Sequence, residues 1–177
     1  MKFTMFVMLF TLTLVTFAAL ASDDDGMRWF SRQNASVYVQ NESYKTECGD
    51  CHIAYPPFLL PSDAWAKLMG GLDDHFGDNA ELDQEVATQL RDYLMSHAAD
   101  KTKVRLGKKI LRAGDIDMRI STSRYIKKKH RGELPRDVFT RGDVSSLSQC
   151  DACHKNAELG SFRESEINIP GYGRWDD

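Results

Sequence analysis

Four cysteines occur in the chain, and they fall into two pentapeptides, Cys48-Gly49-Asp50-Cys51-His52 and Cys150-Asp151-Ala152-Cys153-His154. Two thiols three positions apart reach the two vinyl groups of one porphyrin and form thioethers. The histidine that follows directly is then held beneath the iron as its proximal ligand. Two copies of this pattern, with no cysteine left over, imply two covalently attached haem c groups. Cys48, Cys51, Cys150 and Cys153 are the attachment residues, with His52 and His154 as proximal ligands. A zinc ribbon needs its cysteine pairs much closer than the 99 positions between Cys51 and Cys150, and it leaves both trailing histidines unexplained. Structural disulfides fail for the same reason.

What such irons do depends on their sixth ligand, because a closed coordination sphere passes electrons and an open one binds or reacts. Beyond the proximal pair the histidines are His75, His97 and His130. His75 lies 23 residues after His52, among apolar neighbours and next to Gly77. His130 lies 24 residues before His154 and shares a helix face with Ile126. These two are the expected distal ligands, to haem 1 and haem 2 respectively. The alternative for His130 is a solvated basic face, since Lys127-Lys128-Lys129 and Arg131 surround it. His97 ends an apolar stripe, where it either caps a helix or packs beside a haem. Met27, Met69, Met95 and Met118 are the methionine candidates; Met69 and Met95 sit at core spacing and read as gap fillers.

The elements that must hold these groups read as mainly helical. A helix from Ser62, with Ser62 as N-cap, carries Trp65, Leu68, Met69 and Leu72. A second is marked by Leu82, Val86, Leu90, Tyr93, Leu94 and His97 at three- and four-residue spacing. A third, short one carries Tyr125, Ile126 and His130, with Ser121-Thr122-Ser123 before it and Gly132 and Pro135 after it. Residues 27 to 47 read as an irregular arm, and Ile53 to Pro61 as an extended, proline-rich path against a porphyrin. Residues 99 to 119 read as a charged connection. No stretch shows sustained strand alternation. The expected fold is two small haem-binding lobes, 22–100 and 101–177, with short helices and much irregular chain around the haems.

Lys2, the apolar run Phe3 to Leu20 and the Ala19-Leu20-Ala21 exit form the pattern of a secretory signal peptide over residues 1–21. An uncleaved anchor is the alternative, because the run approaches the ~18 residues that span a bilayer. Cleavage leaves 156 residues with no further membrane span. Export to the periplasm agrees with covalent haem attachment. Lobes of that size bury little apolar surface alone, and a haem supplies the missing centre. Charge is divided: Ser22 to Asp100 holds five Lys/Arg against fifteen Asp/Glu, whereas Lys101 to Asp177 holds seventeen against eleven. Such a division orients a docking protein at long range; otherwise it marks two solvated faces. An acidic total of −3 excludes a nucleic-acid binder. Asp73-Asp74 beside His75 and Lys127 to Lys129 beside His130 suggest a lower potential at haem 1 and electron flow towards haem 2.

The stretch Cys48-x-x-Cys51-His52-x-Ala54-Tyr55-Pro56-Pro57-x-Leu59-Leu60-Pro61 continues through Trp65, Met69, Leu72, His75-Phe76-Gly77, Tyr93-Leu94 and Ala98-Ala99-Asp100. With Arg119-Ile120, His130, the second motif, Ala157, Gly160 and Ile169-Pro170, it resembles the dihaem cytochrome c family. The resemblance covers nearly all of the mature chain. It implies a periplasmic electron carrier, not an enzyme, with His52 paired to His75 and His154 to His130. It also implies redox protein partners, a small oxygen-binding cytochrome or a membrane b-type cytochrome. His97 departs from the small polar residue expected there. Three other readings compete with the carrier: a dihaem peroxidase with one open iron, a ligand sensor, and the small dihaem subunit of a periplasmic reductase.

Overall fold

The computed structural model describes residues 41–131 and 134–175. The signal-peptide reading of residues 1–21, the candidate ligand Met27 with residues 27–40 of the arm, and the Gly132 stop signal lie outside them. Among the described residues five α-helices carry the fold: α1 (Glu42–Cys48), α2 (Ser62–Met69), α3 (Gln84–Ser96), α4 (Arg105–Ala113) and α5 (Arg124–Arg131). Short 3-10 turns link them. The strands among the described residues are two-residue segments, β1 (Asn168–Ile169) and β2 (Gly173–Arg174), paired antiparallel. The protein is mainly α, as its periodicity implies.

Helix α1 takes the place of irregular chain over the described end of the expected arm, just before the first motif. Asn41 starts it, its side chain accepting a hydrogen bond from the Tyr44 N–H at 2.7 Å, and the buried Tyr44 anchors it. Gly49 follows at its C-terminal end, where a Cβ would run into the Lys45 carbonyl. Sterics thus dictate the first variable position of the haem motif.

The proline-rich stretch bends through a 3-10 turn, Pro57–Leu59, with proline at its start. Phe58, Leu59 and Leu60 are almost completely buried. They fill the protein core itself rather than lie along a porphyrin-facing path. The Trp65 indole N–H from α2 donates to the Pro57 carbonyl at 2.7 Å, and Ala99 N–H donates to Leu60 O at 2.8 Å. The chain is thereby clamped between α2 and the end of α3.

Helix α2 stops at Gly70 instead of running to Leu72, because Gly70-Gly71 favours termination over a further turn. Ser62 is not its cap. The residue before the helix is Pro61, which has no side-chain acceptor. Asp100 takes that role from across the fold, accepting from the Ser62 N–H (2.7 Å) and hydroxyl (2.8 Å). Helix α3 buries Leu90 and Leu94 against α2, each worth roughly 1.5–3 kcal/mol. His97 ends α3, its Nδ1 2.8 Å from Tyr93 O.

The charged connection contains α4, whose buried face is only Gly107 and Ile110. It packs on the Pro57–Leu59 turn and on α5. The larger core joins Tyr44, Phe58, Leu60, Trp65, Leu90 and Leu94 to Val104, Ile110 and Ile120. A second, much smaller core consists of Val138, Val144 and Ile169.

Candidate haem-binding site

Each attachment motif brings its histidine opposite another. The His52 and His75 ring centres are 6.2 Å apart with planes at 30°. Those of His154 and His130 are 5.9 Å apart with planes at 74°. Two metal–imidazole bonds of ~2 Å, with about 1.1 Å from each bonded nitrogen to its ring centre, separate the centres by ~6.3 Å. Both pairs match that spacing.

Local backbone geometry aims the rings. His75 follows the turn Leu72–Asp74, and its N–H donates to Asp78 O at 2.7 Å. Phe76 takes a left-handed φ of 59°, an outlier for a bulky residue. Gly77 N–H donates to the Asp74 carboxylate at 2.9 Å and closes the turn. His130 instead rides on α5, its Nδ1 2.8 Å from Ile126 O one turn back. This contact fixes the tautomer and leaves Nε2 to face His154. In the second motif, the Cys153 and His154 N–H groups both donate to Cys150 O. Asn168 N–H donates to Cys153 O at 3.0 Å, which ties the motif to β1.

Aromatic rings support all four imidazoles. Tyr55 stacks on His52 at 4.6 Å and 23°. Phe76 meets His75 edge-on at 4.9 Å, Phe139 meets His130 at 6.2 Å and Phe162 meets His154 at 5.4 Å. The residue types alone do not single out these partners, because only tertiary folding brings 139 and 162 to the second pair.

Burial and mutual proximity favour the neutral form of one imidazole in each pair. Burial followed by His130 pushes His154 down to about 4, and burial followed by His52 lowers His75. Neutral imidazole is the metal-binding form. His154 Nδ1 is buried without a partner, whereas His52 Nδ1 lies 2.8 Å from Ile53 O. None of the four cysteines is paired in a disulfide, which leaves all four for thioether bonds to haem. Burial above all raises Cys48 to about 11 and Cys150 to about 12, so before attachment both favour the thiol over the thiolate.

The remaining candidates stand apart. His97 packs on Tyr93 at 4.6 Å and belongs to neither pair. Met69 is in the larger core and Met95 packs against it. Met118 lines the cleft beside His75 with Leu68 and Phe76. The local charge contrast is narrower than the sequence suggests. Arg119 lies 4.1 Å over the Phe76 ring beside His75, and Lys129 pairs with Glu164 at 3.0 Å.

Residues 44–162 match the family model for dihaem cytochrome c. This chain belongs to the dihaem cytochrome c family. A dihaem cytochrome c from Shewanella baltica OS155 is 42% identical, with a TM-score of 0.64, over 77% of this chain and 98% of that one. A dihaem cytochrome c from Rhodobacter sphaeroides is 37% identical, with a TM-score of 0.61, over 70% and 98%. No curated protein matches the chain. Like its family, this dihaem cytochrome c carries two covalently bound haem c groups and serves haem-based electron transfer. Its residues fit two such groups: two cysteine pairs, each beside two opposed imidazoles at metal-bridging distance.

Proposed function

We propose that this cytochrome is a periplasmic electron carrier, not an enzyme, whose two low-spin irons are each held between two histidines. Cys48 and Cys51 attach haem 1, with His52 and His75 as its axial ligands. Cys150 and Cys153 attach haem 2, with His154 and His130. The observation that carries this reading is the pair of imidazole separations, 6.2 and 5.9 Å.

Each haem supplies a one-electron ferric/ferrous couple when bound. The chain's own residues decide that this couple is used for transfer. His52 with His75, and His154 with His130, would hold the two axial positions of each iron and would leave no entry position for substrate or oxygen. The rings are held by backbone carbonyls or by aromatic packing, which limits rearrangement between oxidation states. Histidine in place of methionine as axial ligand lowers the reduction potential, so both centres lie below a His/Met cytochrome c.

A signal peptide at 1–21 would export the chain, and among the described residues no helix is long and apolar enough to cross a membrane. The proposed partners are redox proteins: a small oxygen-binding cytochrome or a membrane b-type cytochrome, engaged through the oppositely charged halves.

The ferric holoprotein's absorption spectrum tests the ligand set. Two low-spin haems without a methionine–iron charge-transfer band are expected. A high-spin band at neutral pH would overturn the closed coordination and restore the peroxidase or sensor reading.

A further inference from the structure

Tyr55 belongs to neither attachment motif and to neither histidine pair, yet it touches both sites. Its ring lies 4.6 Å from the His52 ring, nearly parallel to it. Its hydroxyl donates to Ser148 O at 2.5 Å, 93 residues away in sequence and two before Cys150. Its own carbonyl accepts from the buried Tyr44 hydroxyl at 2.7 Å, so the backbone beneath it is fixed to α1. A second link runs alongside, from the Gln149 side-chain amide to Cys51 O at 3.4 Å. Two attachment loops that are remote in sequence therefore meet at one phenol.

We propose that Tyr55 is a positioning residue that couples the two haem sites: its ring sets the plane of the His52 imidazole, and its hydroxyl holds the second attachment loop against the first. This rests on the reading of His52 as an axial ligand. A stacked ring at a 23° tilt leaves the imidazole no free rotation about its Cβ–Cγ bond without losing the contact. The hydrogen bond is the shorter of the two links between the loops. When one electron exchanges between the haems, one iron is oxidised and the other reduced by the same electron. No bond forms or breaks, and the phenolic proton stays on the Tyr55 oxygen.

Tyr55→Phe and Tyr55→Leu variants of the holoprotein separate the two halves of the proposal. Paramagnetic resonance of the ferric proteins reads each iron's ligand planes, and exchange spectroscopy on half-reduced samples reads transfer between the haems. Parent-like low-spin signals in the unmodified protein establish the ligand reading independently of either variant. Y55F is expected to keep both ferric signals and to slow the exchange, because the stack survives and the tether does not. Y55L is expected to slow exchange as well and to shift the signal of haem 1 while sparing haem 2. An unchanged exchange rate in Y55F overturns the tether. An unchanged haem 1 signal in Y55L overturns the plane-setting role. A loss of stability alone, with both readouts at parent values, overturns both.

Discussion

Replacing Gly107 by alanine tests how the first haem-binding segment is seated. Gly107 faces the Pro57–Leu59 turn from α4, and an added Cβ would lie 2.8 Å from Phe58 O and 3.3 Å from both Ala99 Cα and Cβ. The nearest atoms are mostly backbone, so relief requires α4 to move off the turn. Overpacking of this kind costs ~1–3 kcal/mol, and the upper part of that range applies where the obstacle cannot rotate away. Alanine regains ~1 kcal/mol through helix propensity. The net expectation is a loss of about 1–2 kcal/mol, which for a domain of this length lowers Tm by about 2–8 °C. Gly142→Ala is the control, because nothing lies within 4 Å of its Cβ position; its effect should stay within ~0.5 kcal/mol. Guanidinium and thermal unfolding of the ferric holoproteins measure both, with the haems remaining attached. A Gly107→Ala protein at least as stable as the parent would refute the close-approach argument, since propensity alone would then govern the site.

The two ligand pairs should be distinguishable in the ferric protein by paramagnetic resonance. Near-parallel imidazoles raise the same iron dπ orbital and split the pair, whereas near-perpendicular ones leave the orbitals almost degenerate. The 30° pair should therefore give a rhombic signal and the 74° pair a strongly anisotropic one; two identical signals would contradict the geometry. His130→Ala should convert one of the two irons to high spin, with added imidazole restoring it, and a fully low-spin variant would exclude His130 as a ligand. Asp100→Ala should cost ~0.5–2 kcal/mol, the usual worth of a helix cap. Burial raises the Asp100 pKa, but hydrogen bonds from the Ser62 hydroxyl and N–H outweigh it and hold the carboxyl below its ordinary value. Its contribution is therefore full above the ordinary carboxylate pKa and is lost as pH falls through the lowered one. The gap between parent and variant in a pH series of unfolding curves should close in acid; a constant gap would contradict the assignment.

The chemistry was more legible in the sequence than the architecture. Cysteine and histidine are scarce here, and their function demands fixed spacing, so the motifs, His75 and His130 stand out without any knowledge of the fold. Helices α2 and α3 were legible because each buries a stripe with regular period, although Gly70-Gly71 shortened the first. Helix α4 escaped because one of its two buried positions is a glycine, which pattern reading counts as a breaker and packing uses as a point of contact. Helix α1 escaped because a single buried residue, Tyr44, holds it. Ser62 and Ser123 both looked like N-caps. The first is served by Asp100 instead, and the Ser123 hydroxyl is buried without a partner. The aromatic supports at positions 139 and 162 have no local signature, since their role exists only once distant segments meet.

The inequality of the two cores has a consequence for quality control. Among the described residues the larger core holds fourteen buried residues and adjoins the first haem site; the smaller holds three and seats Ala152 and Cys153 of the second attachment motif, while Ile126 and Phe162 beside the second histidine pair pack on the larger. A chain that has received only its first haem would keep most of its protected interior, whereas the segment around Val138, Val144 and Ile169 would lack the large apolar group it closes around. Proteases would then meet an openable C-terminal segment in half-loaded molecules and a closed one in finished molecules.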